Sequence, residues 1–254
     1  MMEKVKICVP ITGRNQEEIE QQAHAIAATE ADVAEWRFDL ARDLYVGQDW
    51  TRTLPSILEM LHTVLHGKEL LFTIRTEEQG GSFPVDASAY REIALHAIAS
   101  SCLNYLDLED TTEEADACAI LAEAHKKGVQ VIASYHDFEK TPAVEEILTK
   151  LRALRAMGAD ILKTAYMPNR TSDVAALLLA TARFREEDDG KHPLITMSMG
   201  ELGKISRLVG GAFGSMLTFA TVGEASAPGQ MPIEEVRKSL DTLYTIHSFD
   251  CQKP

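Results

Sequence analysis

A repeating unit constrains this chain more than any single motif. A short apolar run, a polar loop and a stretch of helical periodicity recur eight times in 254 residues. The apolar runs fall at residues 6–10, 33–37, 70–75, 105–108, 129–134, 160–164, 194–197 and 216–220. Their length and composition predict strands. Between them, Ile19, Ala23, Ile26 and Ala27 share one helix face, as do Val144, Ile147, Leu148, Leu151 and Leu154. Val236, Leu240, Leu243 and Tyr244 repeat that spacing near the C-terminus. Lys126-Lys127-Gly128 ends one helix with cations in its last turn and glycine beyond it. Eight such strand–helix alternations predict an α/β fold, a single (β/α)8 TIM barrel domain over residues 1–254. A doubly wound sheet is the main competitor, but the first turn carries no G-x-G-x-x-G. Gly200, Gly203, Gly210, Gly211 and Gly214 interrupt the seventh unit, which predicts a short or irregular helix there.

Bulk composition narrows the function. Hydrophobic residues make up 45% and charged residues 25%, an ordinary globular balance. No apolar run approaches the roughly 20 residues needed to span a bilayer. The first residues lack the apolar core and cleavage site of a signal peptide. Cys8, Cys102, Cys118 and Cys251 form no C-x-x-C pair and stand at no metal-ligand spacing, so reduced thiols, a cytoplasmic location and no metal site are expected. The formal charge of −14 argues against a nucleic-acid or anionic-membrane surface. An anionic small molecule remains compatible with that charge, but its site must then carry local cations.

A barrel gathers function at the C-terminal ends of its strands, and there the sequence is rich in ionisable groups. The second strand carries Glu35 and Arg37 two residues apart, on one face. The third ends at Arg75, and the fourth runs into Asp107-Leu108-Glu109-Asp110. His136 lies just beyond the fifth strand, on the parity of Ile132 and Ser134, and the sixth strand presents Lys163 on the face of Ile161. A lysine pointing into a barrel loses hydration, which makes its neutral form cheaper, and a neutral amine can attack a carbonyl. An imidazole beside it suits proton transfer near neutrality. Arginines suit an oxyanion, best a carboxylate held by a bidentate fork. Arg207 follows the seventh strand, and the turn-rich loop Ala225-Ser226-Ala227-Pro228-Gly229-Gln230 follows the eighth.

Six segments in order carry a family resemblance: Glu35-Trp36-Arg37-Phe38-Asp39, Phe72-Thr73-Ile74-Arg75 with Gly80-Gly81, Ser134-Tyr135-His136-Asp137-Phe138, Lys163-Thr164-Ala165, Ile205-Ser206-Arg207, and Ser226-Ala227-Pro228-Gly229-Gln230. Together they resemble the type I 3-dehydroquinate dehydratases, Schiff-base lyases of the shikimate pathway that leads to aromatic amino acids. The resemblance implies a (β/α)8 barrel, a homodimer, and dehydration of 3-dehydroquinate to 3-dehydroshikimate with no metal or organic cofactor. It implies that Lys163 forms an imine with the C3 ketone and that His136 is the general acid and base. Arg207 would bind the substrate carboxylate, and Glu35, Arg37 and Arg75 the ring hydroxyls, with Ser226 and Gln230 on a closing loop. Some members place a glutamate directly before the double glycine, where it hydrogen-bonds the histidine; this chain has Gln79. A class I aldolase on the same barrel would share Lys163, but it normally acts on phosphorylated or short keto substrates, and no P-loop spacing is present.

Overall fold

The computed structural model describes residues 4–44, 49–82, 86–223 and 227–244. Among them, strands and helices alternate as β1 Lys6–Ile11, α1 Gln16–Ala27, β2 Val33–Arg37, α2 Trp50–Val64, β3 Glu69–Thr73, α3 Ala87–Ala99, β4 Tyr105–Glu109 and α4 Glu114–Lys126. They continue as β5 Gln130–Asp137, α5 Val144–Ala156, β6 Ile161–Tyr166, α6 Thr171–Glu187, β7 Leu194–Ser198, α7 Gly200–Phe213, β8 Leu217–Phe219 and α8 Ile233–Tyr244. The strands form one parallel sheet in the order β7-β6-β5-β4-β3-β2-β1-β8. Between its ends, a bridge pairs Leu194 with Ser215, and the Met216 N–H donates to the Leu194 carbonyl at 2.7 Å. The result is a nearly closed (β/α)8 barrel.

Strand alternation divides the apolar side chains into two cores. Leu162 and Tyr166 of β6 face the helices, with the buried faces of α1 (Ile19, Ala23, Ile26) and α5 (Ile147, Leu148, Leu151, Leu154) in the same core. Ile161 and Ala165 of the same strand point inward and join Cys8, Val33, Leu71, Ile132, Ile195 and Leu217 in the barrel interior. Lys163 lies between Ile161 and Ala165, so its side chain is carried to the inside as parity requires.

The structure corrects three local expectations. The seventh helix is neither short nor irregular: α7 runs for 14 residues. Its glycines mark close approach rather than breakage. A Cβ on Gly203 would lie 2.3 Å from the Ser198 carbonyl oxygen, so only glycine lets the helix pack that tightly. Gly214 ends the helix at φ 115°, a left-handed cap. Second, β5 extends to Asp137 because its pairing with β6 persists to Asp137 opposite Tyr166, so His136 sits within the strand rather than beyond it. Third, β3 stops at Thr73, leaving Arg75 past its end. There the Arg75 N–H donates to Asp39 Oδ1 at 3.2 Å and the Thr76 N–H to Glu109 Oε1 at 3.0 Å, so side-chain carboxylates take donors that a ladder would otherwise use. On α8, Val236 and Leu240 are buried, but Leu243 is half exposed.

Candidate active site

The C-terminal ends of the strands surround a cavity that opens to solvent. Glu35, Arg37, Arg75, His136, Lys163, Arg207 and Gln230 all line it. Ser226 lies outside the described residues. Seven positions read from the sequence are thereby brought to one place, from six different strand–loop units, as a barrel arranges them.

At the centre Lys163 is buried, and its burial is met by charge as well as by apolar walls. Its Nζ donates to Asp107 Oδ2 at 2.8 Å, stands 3.7 Å from Glu35 Oε1, and lies 5.0 Å from the centre of the Phe219 ring. Glu35 is steadied by the Thr73 hydroxyl at 2.9 Å. Asp107 also accepts from the Ser134 hydroxyl at 2.5 Å and pairs with Arg75 Nη2 at 3.0 Å. Burial pushes the Asp107 carboxyl upward, but Arg75 and then Lys163 outweigh it and hold the group well below the usual carboxylate range. Asp107 therefore remains an anion beside the amine.

Arg75 is the hub of the upper layer. Its Nη1 donates to Glu109 Oε1 at 2.7 Å and to the Ser134 hydroxyl at 3.1 Å. Burial opposes its charge, yet Asp107 and Glu109 more than offset that and raise its pKa. Glu109 moves the other way: burial raises it, despite Arg75 and the hydrogen bonds from Thr76. Arg37 makes a bidentate pair with Asp39 at 2.8 and 2.7 Å. Burial likewise works against Arg37, and Asp39 prevails and raises it.

Arg207 differs from these cations. It is buried on α7, and among the described residues no carboxylate pairs with it. Its Nη2 donates to the Pro228 carbonyl at 3.0 Å and its Nη1 approaches Met197 Sδ at 3.7 Å, while Nε has no partner among the described residues. Burial alone lowers its pKa to about 10. A buried guanidinium with an open donor edge is costly unless an anion meets it.

His136 faces the same cavity from β5. Burial, then Arg75 and Lys163, drive its pKa well below 6.5; Asp107 opposes them and Arg37 adds to the depression. The imidazole is thus held neutral, the form that accepts a proton. Its Nδ1 lies 3.1 Å from Gln79 Oε1, so the residue at the position of departure is also the ring's neighbour. Phe138 stacks against the ring at 6.5 Å with an interplanar angle of 20°.

Asp107 and Glu109, which the sequence shows among the strand-end acids but to which it assigns no role, stand at the centre of the site. The signal was present, since alternation from Tyr105 carries both inward, but a run of three acids and one leucine also reads as a solvated strand end. No cluster of three His, Cys, Asp or Glu side chains among the described residues is arranged to hold a metal ion. No helix among them is long and apolar enough to cross a membrane.

Fold and cavity together are those of a barrel enzyme with ionisable side chains gathered around one opening at the strand ends. Residues 7–247 match the sequence model of the Type I 3-dehydroquinase family. The chain belongs to that family. It is 41% identical over 237 residues to a 3-dehydroquinate dehydratase of Klebsiella pneumoniae (strain 342), covering 93% of this chain and 92% of the relative. A 3-dehydroquinate dehydratase of Listeria monocytogenes serotype 4b is 39% identical over 239 residues, with 94% and 92% covered. Among solved structures, the type I 3-dehydroquinate dehydratase of Clostridium difficile with covalently modified comenic acid superposes with a TM-score of 0.89 at 36% identity, covering 96% of this chain and 94% of that one. The 3-dehydroquinate dehydratase of Geobacillus kaustophilus gives a TM-score of 0.90 at 34% identity, with 96% and 92% covered.

Proposed function

We propose that the enzyme dehydrates 3-dehydroquinate to 3-dehydroshikimate through an imine on Lys163, with His136 carrying the protons. The observation that most supports this reading is the shared cavity: a buried amine, a neutral imidazole and an arginine with no carboxylate partner among the described residues all line it. The substrate carboxylate meets Arg207, which supplies the bidentate fork and gains the partner it lacks. That contact sets the C3 carbonyl at Lys163 Nζ. The amine adds to C3; the carbinolamine oxygen takes one proton from the nitrogen and one from solvent and leaves as water. The iminium that results acidifies the C2 proton, and the borrowed proton returns to solvent when the product iminium is hydrolysed. His136 Nε2 takes that proton, and the C2–H electrons enter the iminium to give an enamine. The enamine expels the C1 hydroxyl, which leaves as water with the proton returned by the imidazolium. Water then hydrolyses the new iminium, releasing the conjugated ketone and the free amine. No step as written draws on a metal or an organic cofactor.

In the same reading Asp107 and Arg75 keep the amine and the developing cation in a fixed field. Arg37 and Arg75 are each committed to carboxylates, yet a guanidinium has five N–H donors, so both can still reach ring hydroxyls alongside Glu35. Gln230, which lines the cavity, serves the substrate together with Ser226. The protein acts as a cytoplasmic homodimer of single barrels spanning residues 1–254, without nucleic acid or membrane partners. The charge of −14 and the half-exposed Leu202, Ile205 and Leu243 support that assembly and those exclusions.

The direct test is to add 3-dehydroquinate and follow the absorbance of the conjugated product; no turnover at saturating substrate would remove the proposal. Two further results are expected. Arg207→Met should raise KM by about a hundredfold, the scale of a lost charge-assisted pair. It should also hold or raise the melting temperature, because a buried cation without a carboxylate is replaced by an apolar chain. A lowered melting temperature with unchanged KM would assign Arg207 to the fold instead. The second result concerns pH. An ordinary histidine gains a proton near 6.5, whereas burial, Arg75, Lys163 and Arg37 keep His136 neutral below that value against the pull of Asp107. The acid limb of kcat/KM, which reports the free enzyme, is therefore expected below pH 6.5. A limb at or above 6.5 would contradict a pre-formed neutral base.

A further inference from the structure

Behind His136 a chain of three side chains runs outward to the surface. Gln79 is buried in the short turn Glu77–Gln79 after β3. Its Oε1 accepts from the His136 backbone N–H at 2.9 Å and faces His136 Nδ1 at 3.1 Å, while its Nε2 donates to Asp110 Oδ1 at 3.0 Å. Asp110, the residue following β4, accepts from Lys150 Nζ of α5 at 2.6 Å through its other oxygen. Lys150 in turn lies 3.9 Å over the Tyr135 ring.

The polarity of this chain is not reversible. A carboxylate only accepts and a backbone N–H only donates. Flipping the Gln79 amide would set its oxygen against Asp110 and its NH2 against the His136 N–H, two repulsions in place of two hydrogen bonds. With Oε1 fixed toward His136, the ring nitrogen facing it must carry hydrogen. The neutral imidazole then has its proton on Nδ1 and its lone pair on Nε2.

We propose that Asp110 is a positioning residue: held by Lys150, it fixes the Gln79 amide and so selects the His136 tautomer with Nε2 free to take a proton. The step served is the one assigned to His136 above, so the kinetic consequence rests on that reading. The proposal also accounts for glutamine at position 79. A glutamate there would bring a second carboxylate within about 3 Å of Asp110, and one of the two would have to hold a proton. Gln79 and Asp110 are matched as a pair.

A reciprocal exchange tests this. In Asp110→Asn the single acceptor oxygen cannot serve both Gln79 Nε2 and Lys150 Nζ. In Gln79→Glu the two carboxylates collide. The exchanged pair combines Gln79→Glu with Asp110→Asn. There the introduced asparagine amide donates to the introduced glutamate, and that carboxylate accepts from the His136 backbone N–H and Nδ1–H. Each single variant is expected to lose about tenfold in kcat with KM changed less than about twofold, the scale of a small misalignment. The exchanged pair should recover most of that loss. The second readout is 15N NMR of histidine-labelled full-length protein without substrate, with the His136 signals identified by their loss in His136→Ala. Wild type and the exchanged pair should show Nδ1 protonated and Nε2 bare, and Asp110→Asn a mixture of tautomers. A wild-type ring protonated on Nε2 alone, or an exchanged pair no faster than the worse single variant, would overturn the proposal. If wild type failed to turn over 3-dehydroquinate, the assigned activity would fall, while the tautomer readings would still decide the role of Asp110.

Discussion

Lys163→Ala is expected to lower kcat by on the order of 10⁵-fold or more, the scale seen when a nucleophile that acts as a unit with its neighbours is removed. In the proposed mechanism no other described side chain can take its place at the ketone: the guanidinium groups of Arg37, Arg75 and Arg207 stay protonated, and Lys6 lies at the opposite end of the barrel, bonded to Glu69 and Tyr105. The fold should survive. Removing one partner of a buried ion pair costs roughly 3–5 kcal/mol when it strands a charge. Asp107 keeps Arg75 at 3.0 Å and Ser134 at 2.5 Å, however, so the loss should be nearer about 1–3 kcal/mol. Cooperative unfolding with a modest drop in melting temperature, together with activity at background, is the expected combination. Activity within a hundredfold of wild type would exclude an imine on this residue.

His136→Ala should be nearly as damaging to turnover and quite different in what it leaves behind. Loss of a positioned general base costs up to about 10⁴-fold, and in the proposed mechanism one ring serves both proton removal at C2 and return to the C1 oxygen. The amine of Lys163 is untouched, so the imine should still form and accumulate. The variant is thus expected to be almost inactive and yet to take up substrate covalently. An inactive variant that no longer attaches substrate at all would show that the division of labour between the two residues is wrong. The half-buried ring contributes less packing than a core residue, so a folded variant is expected.

How far the sequence carries the reader depends on the range of the interaction. The strand at residues 33–37 and the inward direction of Lys163 follow from alternation within a few residues, and both stand in the structure. The length of α7 does not follow, because the glycines that look like breaks are answers to neighbours elsewhere: Gly203 gives way to Ser198 and Gly211 to Val5. The same limit applies at the site. Lys163 and His136 announce themselves as residue types placed at strand ends, and Arg207 as a cation in the segment after the seventh strand. Asp107 as the partner of Lys163, and Glu109 as the partner of Arg75, join groups 56 and 34 positions apart, which only the pairing of strands distant in sequence brings together. Gln79 was legible as a departure, but its meaning lies in Asp110, 31 positions along the chain, and in Lys150, a further 40 beyond that.

The proposed mechanism turns on a covalent bond at Lys163, and chemical trapping reads that bond. The protein is incubated with 3-dehydroquinate, reduced with sodium borohydride, and examined by intact-protein and peptide mass spectrometry. Reduction turns a transient imine into a stable secondary amine. A single adduct on the peptide containing Lys163, absent from Lys163→Ala, is the expected result. Full catalytic turnover with no adduct, or an adduct confined to another lysine, would contradict it.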